Sequence, residues 1–175
     1  MKRVAIGVLV AVIVALLVRP EIARYRAEHQ LGAANAAFEL VLARASEVEN
    51  AAEVLPRVSE RAATATASLP GDSRGWVLAG SCRLVAGDTA RALELYRRAL
   101  AQGERAEIHL NLGRALALLQ DVDAARIAFV RSIWISPALL RAVPPGFQDA
   151  VSAEITRLES ELAAGKLSAP PPPPR

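Results

Sequence analysis

Apolar and polar positions alternate along this chain at helical spacing, and the pattern changes character four times. Val4 to Val18 carry no charge and are framed by Lys2-Arg3 and Arg19-Pro20. Beyond them Pro20 to Asn50 reads as one long helix, with Leu31, Phe38, Leu42, Ala45 and Val48 on one face and Glu21, Arg24, Arg26 and Glu28 making its first turns polar. A second helix is predicted from Pro56 to Ser68, closed by the turn Leu69-Pro70-Gly71-Asp72. Four shorter helices follow: Trp76 to Ala86, Thr89 to Ala101, Ile108 to Leu119 and Val122 to Ile135. Ala138 to Val143 is a short step before Pro144-Pro145-Gly146, and Phe147 to Ala164 forms the last helix, its seam running through Phe147, Val151, Ile155, Leu158 and Leu162. The expected fold class is all-α.

Between Ser73 and Pro137 the pattern is written twice. Gly80, Asp88, Ala92 and Arg98 recur 33 positions later as Gly113, Asp121, Ala125 and Arg131; Tyr96 recurs as Phe129 and Leu100 as Ile133. Such a period, with small residues at two fixed places and an aromatic after them, is that of a helix–turn–helix repeat. Gly80 and Ala92 are expected at the crossing of the two helices, where side chains of almost no volume let backbones approach. Asp88 and Asp121 are placed as N-caps, Gly103 as a left-handed cap, and Pro137 as a stop.

On these residues the chain resembles the tetratricopeptide repeat family over roughly 73–139. Trp76 matches the family's first aromatic, Gly80 and Gly113 its helix A glycine, Ala92 and Ala125 its helix B alanine, Tyr96 and Phe129 its second aromatic, and Pro137 its terminal proline. The departures are His109 at the first aromatic of the second copy, Arg83 and Leu116 where tyrosine is usual, and Glu104 in place of the first copy's proline. Counting back from Pro70 puts Val58 and Ala62 at helix B positions of a degenerate earlier repeat, with Ser46 in place of its glycine; whether this is a third repeat stays open. The resemblance implies a short solenoid of antiparallel helix pairs whose concave wall is lined by helix A. Here that wall is Arg74, Val77, Ser81, Leu84 and Val85, then Glu107, Leu110, Asn111, Arg114, Ala117 and Leu118. Asn111 and Arg114 are the sole echoes of the set that grips a peptide carboxylate in some family members.

The expected organisation is a basic start at 1–3, a transmembrane anchor at 4–19, a stalk helix at 20–50, a helix and turn at 51–72, repeats at 73–105 and 106–139, a capping helix at 146–165 and a proline-rich disordered tail at 166–175. The apolar run covers roughly 22 Å of a ~30 Å hydrocarbon core, and Lys2, Arg3 and Arg19 can snorkel across part of the difference. It lacks a small-x-small site at its end, so an uncleaved anchor is preferred to a cleaved signal. The basic start leans towards repeats on the periplasmic side of an inner membrane, and the cytoplasmic orientation stays open.

Composition removes several alternatives. Net charge is +3, basic and acidic residues are interspersed, and aromatics make up 4%, so nucleic-acid binding has no support. Arginines outnumber lysines 19 to 2, in keeping with a GC-rich bacterial genome. Cys82 is the single cysteine, so no intrachain disulfide forms. His29 and His109 have no partner at metal-ligand spacing, and no nucleophile elbow or phosphate-cradling loop is present. The sequence therefore predicts no catalytic residue, metal or cofactor, and a non-enzymatic adaptor. Its partner would be a membrane-associated protein of an envelope assembly complex, held in the groove as an amphipathic helix or extended apolar segment; the chain's own stalk is also a candidate for that place. The alternative is a self-associating membrane subunit whose repeats cap the assembly; homo-oligomerisation stays open.

Overall fold

The structure, a computed structural model, describes residues 2–44 and 51–166, with side chains described from Val14 onward and from Glu53 in the second stretch. All described secondary structure is helical: α1 (Lys2–Ala43), α2 (Ala51–Ala67), α3 (Arg74–Val85), α4 (Thr89–Gln102), α5 (Ala106–Leu118), α6 (Val122–Ile135), a 3-10 helix (Pro137–Ala142) and α7 (Pro145–Ala163). Consecutive helices pack against one another, giving the antiparallel pairs α1–α2, α3–α4 and α5–α6, with α7 laid on α6. Ser46 and the polyproline stretch at 170–174 lie outside the described residues, as do the side chains of most of the apolar run at 4–18. Among the described residues no helix is long and apolar enough to cross a membrane.

α1 is longer at its start and shorter at its end than the spacing predicts. It runs through Pro20, which sits in the helix interior instead of opening a separate stalk. Losing one N–H removes a single rung of a 42-residue helix, a local cost that the turns on either side absorb. Residues 14–26 are exposed on every face; burial begins at Ala27 and continues through Leu31, Ala34, Phe38 and Val41. Val41 takes the core place expected of Leu42, which stays 41% exposed. The stripe is set by what α2 and the turn after it offer: Leu55, Val58, Ala62 and Ala65, then Leu69, all buried. Pro56 likewise falls inside α2, which begins at Ala51, and not at its first position.

The doubled stretch folds as two equivalent pairs. Asp88 and Asp121 cap α4 and α6, accepting from the backbone N–H of Arg91 at 3.3 Å and Ala124 at 3.2 Å. Each helix A ends in the same two-bond cap: Asp88 N to Arg83 O with Gly87 N to Leu84 O, and Asp121 N to Leu116 O with Gln120 N to Ala117 O. That cap needs a left-handed residue, supplied by Gly87 at φ 84° in the first copy and by Gln120 at φ 63° in the second. Gly103 ends α4 differently from the expected left-handed cap. At φ 152°, ψ 148° it is extended in a region open only to glycine, so the chain leaves the helix straight towards Glu104.

The glycines also do something other than meet the helix B alanines. A Cβ on Gly80 would lie 2.6 Å from Cε1 of Tyr96, and one on Gly113 would lie 2.6 Å from Cε1 of Phe129. The missing side chain is thus room for an aromatic ring from the partner helix, while Ala92 and Ala125, fully buried, keep the backbones close beside it. Both rings are themselves fully buried, and the Tyr96 hydroxyl is tied to Ser81 at 3.2 Å. Between pairs, Gly75 plays the same part against α2, where a Cβ would meet Thr66 Oγ1 and the Ala62 carbonyl.

Two hydrophobic clusters result. One joins α1, α2 and α3 with Leu95; the other joins α4, α5, α6 and α7, and Trp76 packs against both. Phe129 and Phe147 meet edge to face at 5.0 Å and dock α7. Val151 and Leu158 continue that seam, but Leu162 is 52% exposed, so it stops one turn early.

Adding a methyl at Gly80 or Gly113 overpacks a held ring, which costs about 1–3 kcal/mol, against about 1 kcal/mol gained by removing a helical glycine. Gly80→Ala and Gly113→Ala should each lower stability, read from the urea midpoint, by about 1 kcal/mol; a rise in either would contradict the packing. Gln120→Gly should raise it by up to about 1 kcal/mol, because a side chain in the left-handed region is penalised by that order; a fall would show that Gln120 makes a compensating contact.

Candidate interaction groove

Three elements enclose an open groove of about 210 Å³. α1 gives one wall through Asn35, Phe38 and Glu39; α3 gives the floor through Val77, Leu78 and Ser81; Ser73, Arg74, Arg105 and Glu107 stand at its end. The floor is apolar apart from the Ser81 hydroxyl, which Tyr96 holds from behind. Burial pushes the Tyr96 phenol up to about 12, so it stays a neutral hydrogen-bonding group.

The charges around it are mostly committed. Arg74 pairs with Asp72 at 2.6 Å and reaches Glu28 on α1 at 2.7 Å. The Arg74 guanidinium accordingly holds the Asp72 carboxyl below its ordinary range. Arg105 pairs with Glu107 at 2.9 Å. Glu39 and Asn35 are exposed and have no hydrogen bond or ion pair among the described residues.

Of the residues read as the concave wall, Arg74, Val77, Ser81 and Glu107 come together here. Leu110 is buried, and Leu84 and Ala117 are half-buried against the second cluster. Asn111 accepts from Arg114 at 3.2 Å, and Arg114 turns onto the Ala142 carbonyl at 2.7 Å, so the 3-10 helix takes up this side of α5. Val85 and Leu118, 51% and 61% exposed, stand at the ends of α3 and α5, outside the groove. The periodicity missed the opposite wall, Asn35, Phe38 and Glu39. Two pointers led towards it: the count back from Pro70, which makes the end of the first helix a neighbour of α3, and the candidacy of the chain's own stalk for the groove.

The remaining residues that define the repeat hold the two pairs in different ways. In the first, Arg98 lies over the Trp76 ring, 5.5 Å from its centroid. In the second, the equivalent positions are Arg131 and His109, and the pair is polar. Glu104 receives Arg131 Nε at 2.5 Å and Nη2 at 2.5 Å, and His109 Nε2 at 2.8 Å. Two departures from the repeat pattern, Glu104 and His109, therefore satisfy each other. His109 is fully buried, and its Nδ1 has no hydrogen-bond partner among the described residues. Pro137, exposed, opens the 3-10 helix.

Chemistry elsewhere is sparse. Cys82 is fully buried, and burial pushes its thiol up to about 12, far from a thiolate at neutral pH. Among the described residues no group of three His, Cys, Asp or Glu side chains is placed to hold a metal ion. Compared with known protein families, curated proteins and solved structures, the chain matches none.

The polar cluster makes the fold sensitive to acid. Burial holds His109 below its ordinary 6.5, so its contribution is complete above about pH 6.5 and drains as pH falls past it. Arg131 chiefly, then His109, holds Glu104 at about 2, so its contribution is complete above 4.5 and is lost between 4.5 and about 2. Urea midpoints measured from pH 7.5 to 3 should fall in those two steps. His109→Phe should flatten the upper step and only slightly shrink the lower one, which Arg131 chiefly sets; an unchanged slope between pH 6.5 and 4.5 would contradict the assignment. Glu104→Gln should cost about 2 kcal/mol at pH 7, less than a fully buried pair because the carboxylate keeps part of its surface in water.

Proposed function

We propose that the chain is a single-pass bacterial membrane protein in which a short tetratricopeptide-like stack serves as a non-enzymatic interaction adaptor. The observation that carries this reading is α1 itself. One uninterrupted helix has apolar residues Val14, Leu16, Leu17 and Val18 exposed at one end, 44–68%, and Ala27 to Val41 buried in the stack at the other. Val14 to Val18 are apolar with no other described residue over them, which calls for an apolar solvent such as the hydrocarbon of a bilayer; the run at 4–18 is shorter than a full span, and Lys2, Arg3 and Arg19 can reach across the difference to the headgroups. The same helix then supplies the groove wall, so tether and binding surface are one element.

The paired helices, the ring-accepting glycines and the Asp caps support the tetratricopeptide reading at the level of packing. The groove suits a short segment with an apolar side chain for Phe38, Val77 and Leu78 and a basic or amide group for Glu39 and Asn35. Tethering raises the effective concentration of a partner in the same membrane, so a small groove is sufficient. An envelope assembly subunit, on the periplasmic side, is the partner this arrangement serves.

Photocrosslinking in intact membranes tests it. A photoreactive residue at Asn35, in the groove, should give one stoichiometric adduct that Val77→Glu abolishes. The same residue at Arg61, on the exposed side of α2, should give none. Identical adducts from both positions, or adducts only with the chain itself, would overturn the adaptor reading.

A further inference from the structure

Taking the membrane tether just proposed as its premise, we infer that the stack has a fixed polarity towards the lipid. Its α2–α3 turn, Leu69 to Asp72, faces the headgroups, and its α3–α4 and α5–α6 turns, Gly87-Asp88 and Gln120-Asp121, point away.

No loop separates the apolar run from the stack, because α1 passes from one into the other as helix throughout. Level along α1 therefore measures height above the bilayer. If Val18 marks the hydrocarbon edge, Glu21 to Glu28 stand about 5–15 Å above it at about 1.5 Å per residue. The headgroup layer occupies roughly the first 5–7 Å of that interval.

Three contacts fix which end of the stack lies at this level. Glu28 is bound by Arg74 Nη2, at the start of α3, at 2.7 Å. Glu21, Arg24 and Tyr25 share a cavity of about 360 Å³ with Leu69, Pro70 and Asp72. Gly71 N donates to Gln102 Oε1 at 3.2 Å, which brings the end of α4 to the same side. α4 has 14 residues, so its far end stands about 20 Å further from the lipid.

The side chains that face outward at the near level suit an interface. Ile22 and Tyr25 are 45% and 73% exposed, beside the exposed Arg24 and Arg26. Aromatic and snorkelling basic side chains are at home among headgroups. Because Glu21, Glu28 and Asp72 offset the arginines there, net charge does not draw this end down; the helix imposes the position. Pro20 can bend the axis by more than about 20°, which tilts the stack without exchanging its ends. The groove wall at Asn35 to Glu39 then stands about 25–32 Å above the hydrocarbon edge. The partner's contact segment must reach that height, as the membrane-proximal part of another anchored protein does.

The full chain, reconstituted into phosphatidylcholine–phosphatidylglycerol vesicles with a headgroup-linked quencher, tests the polarity. Fluorophores are attached singly at Ser68→Cys, Ala90→Cys and Asp123→Cys; Cys82, fully buried, stays in place, and the unsubstituted chain gives the labelling background. The probe at Ser68 should be quenched several-fold more than those at Ala90 and Asp123, and the order should persist when phosphatidylglycerol is omitted. Equal quenching, the reverse order, or an order that disappears without the anionic lipid overturns the inference while leaving the tether in place. Failure of the full chain to float with the vesicles overturns the tether, and the inference with it.

Discussion

The packing depends on a vacancy. Where Gly80 and Gly113 carry no side chain, Tyr96 and Phe129 insert a ring from the partner helix, and the backbones close around it. Both rings are fully buried, so each pair is locked by a group too large to sit anywhere else. Neighbouring elements are arranged around the two rings. Phe147 docks α7 edge to face with the Phe129 ring, and Ser81, at the floor of the groove, is held by the Tyr96 hydroxyl. The α1–α2 pair has Ala62 and not an aromatic at the corresponding place, and a different glycine, Gly75, lets α2 and α3 come together.

The departures from the repeat are intelligible as pairs. His109 stands where the first copy has Trp76, and Glu104 stands where the second copy has Pro137; without Glu104 the buried His109 would lose the partner of its Nε2. Together with Arg131 they form a charged cluster where the first copy has an arginine over a tryptophan. One architecture thus accepts two chemistries at equivalent positions, and only the second depends on protonation.

Much of the local structure was legible because it depends on neighbours a few residues apart. Asp88 and Asp121 cap the helices they precede, Pro137 ends α6, and the Gly–aromatic spacing marked both helix pairs. Several features depended on what packs from a distance. Nothing within α1 says that Val41 and not Leu42 faces inward, because α2 decides the rotation. Nothing near Pro20 says that the helix continues, because one lost rung is small beside the turns flanking it. The groove was half-read for the same reason. Its α3 floor follows from repeat spacing, whereas its α1 wall comes from a segment with no such spacing, and the predicted α5 half is occupied by the 3-10 helix through Arg114.

Tether, wall and stack are continuous, so whatever holds the helix pairs together also sets where the groove stands. A double-mutant cycle between Gly80→Ala and Tyr96→Leu measures that interlock directly. If the ring fills the space glycine leaves, the methyl should be harmful beside Tyr96 and harmless or favourable once leucine replaces the ring, a coupling above about 1 kcal/mol. Additivity within about 0.3–0.5 kcal/mol would mean that the two residues do not share that space, and the account of the fold would fail at its centre.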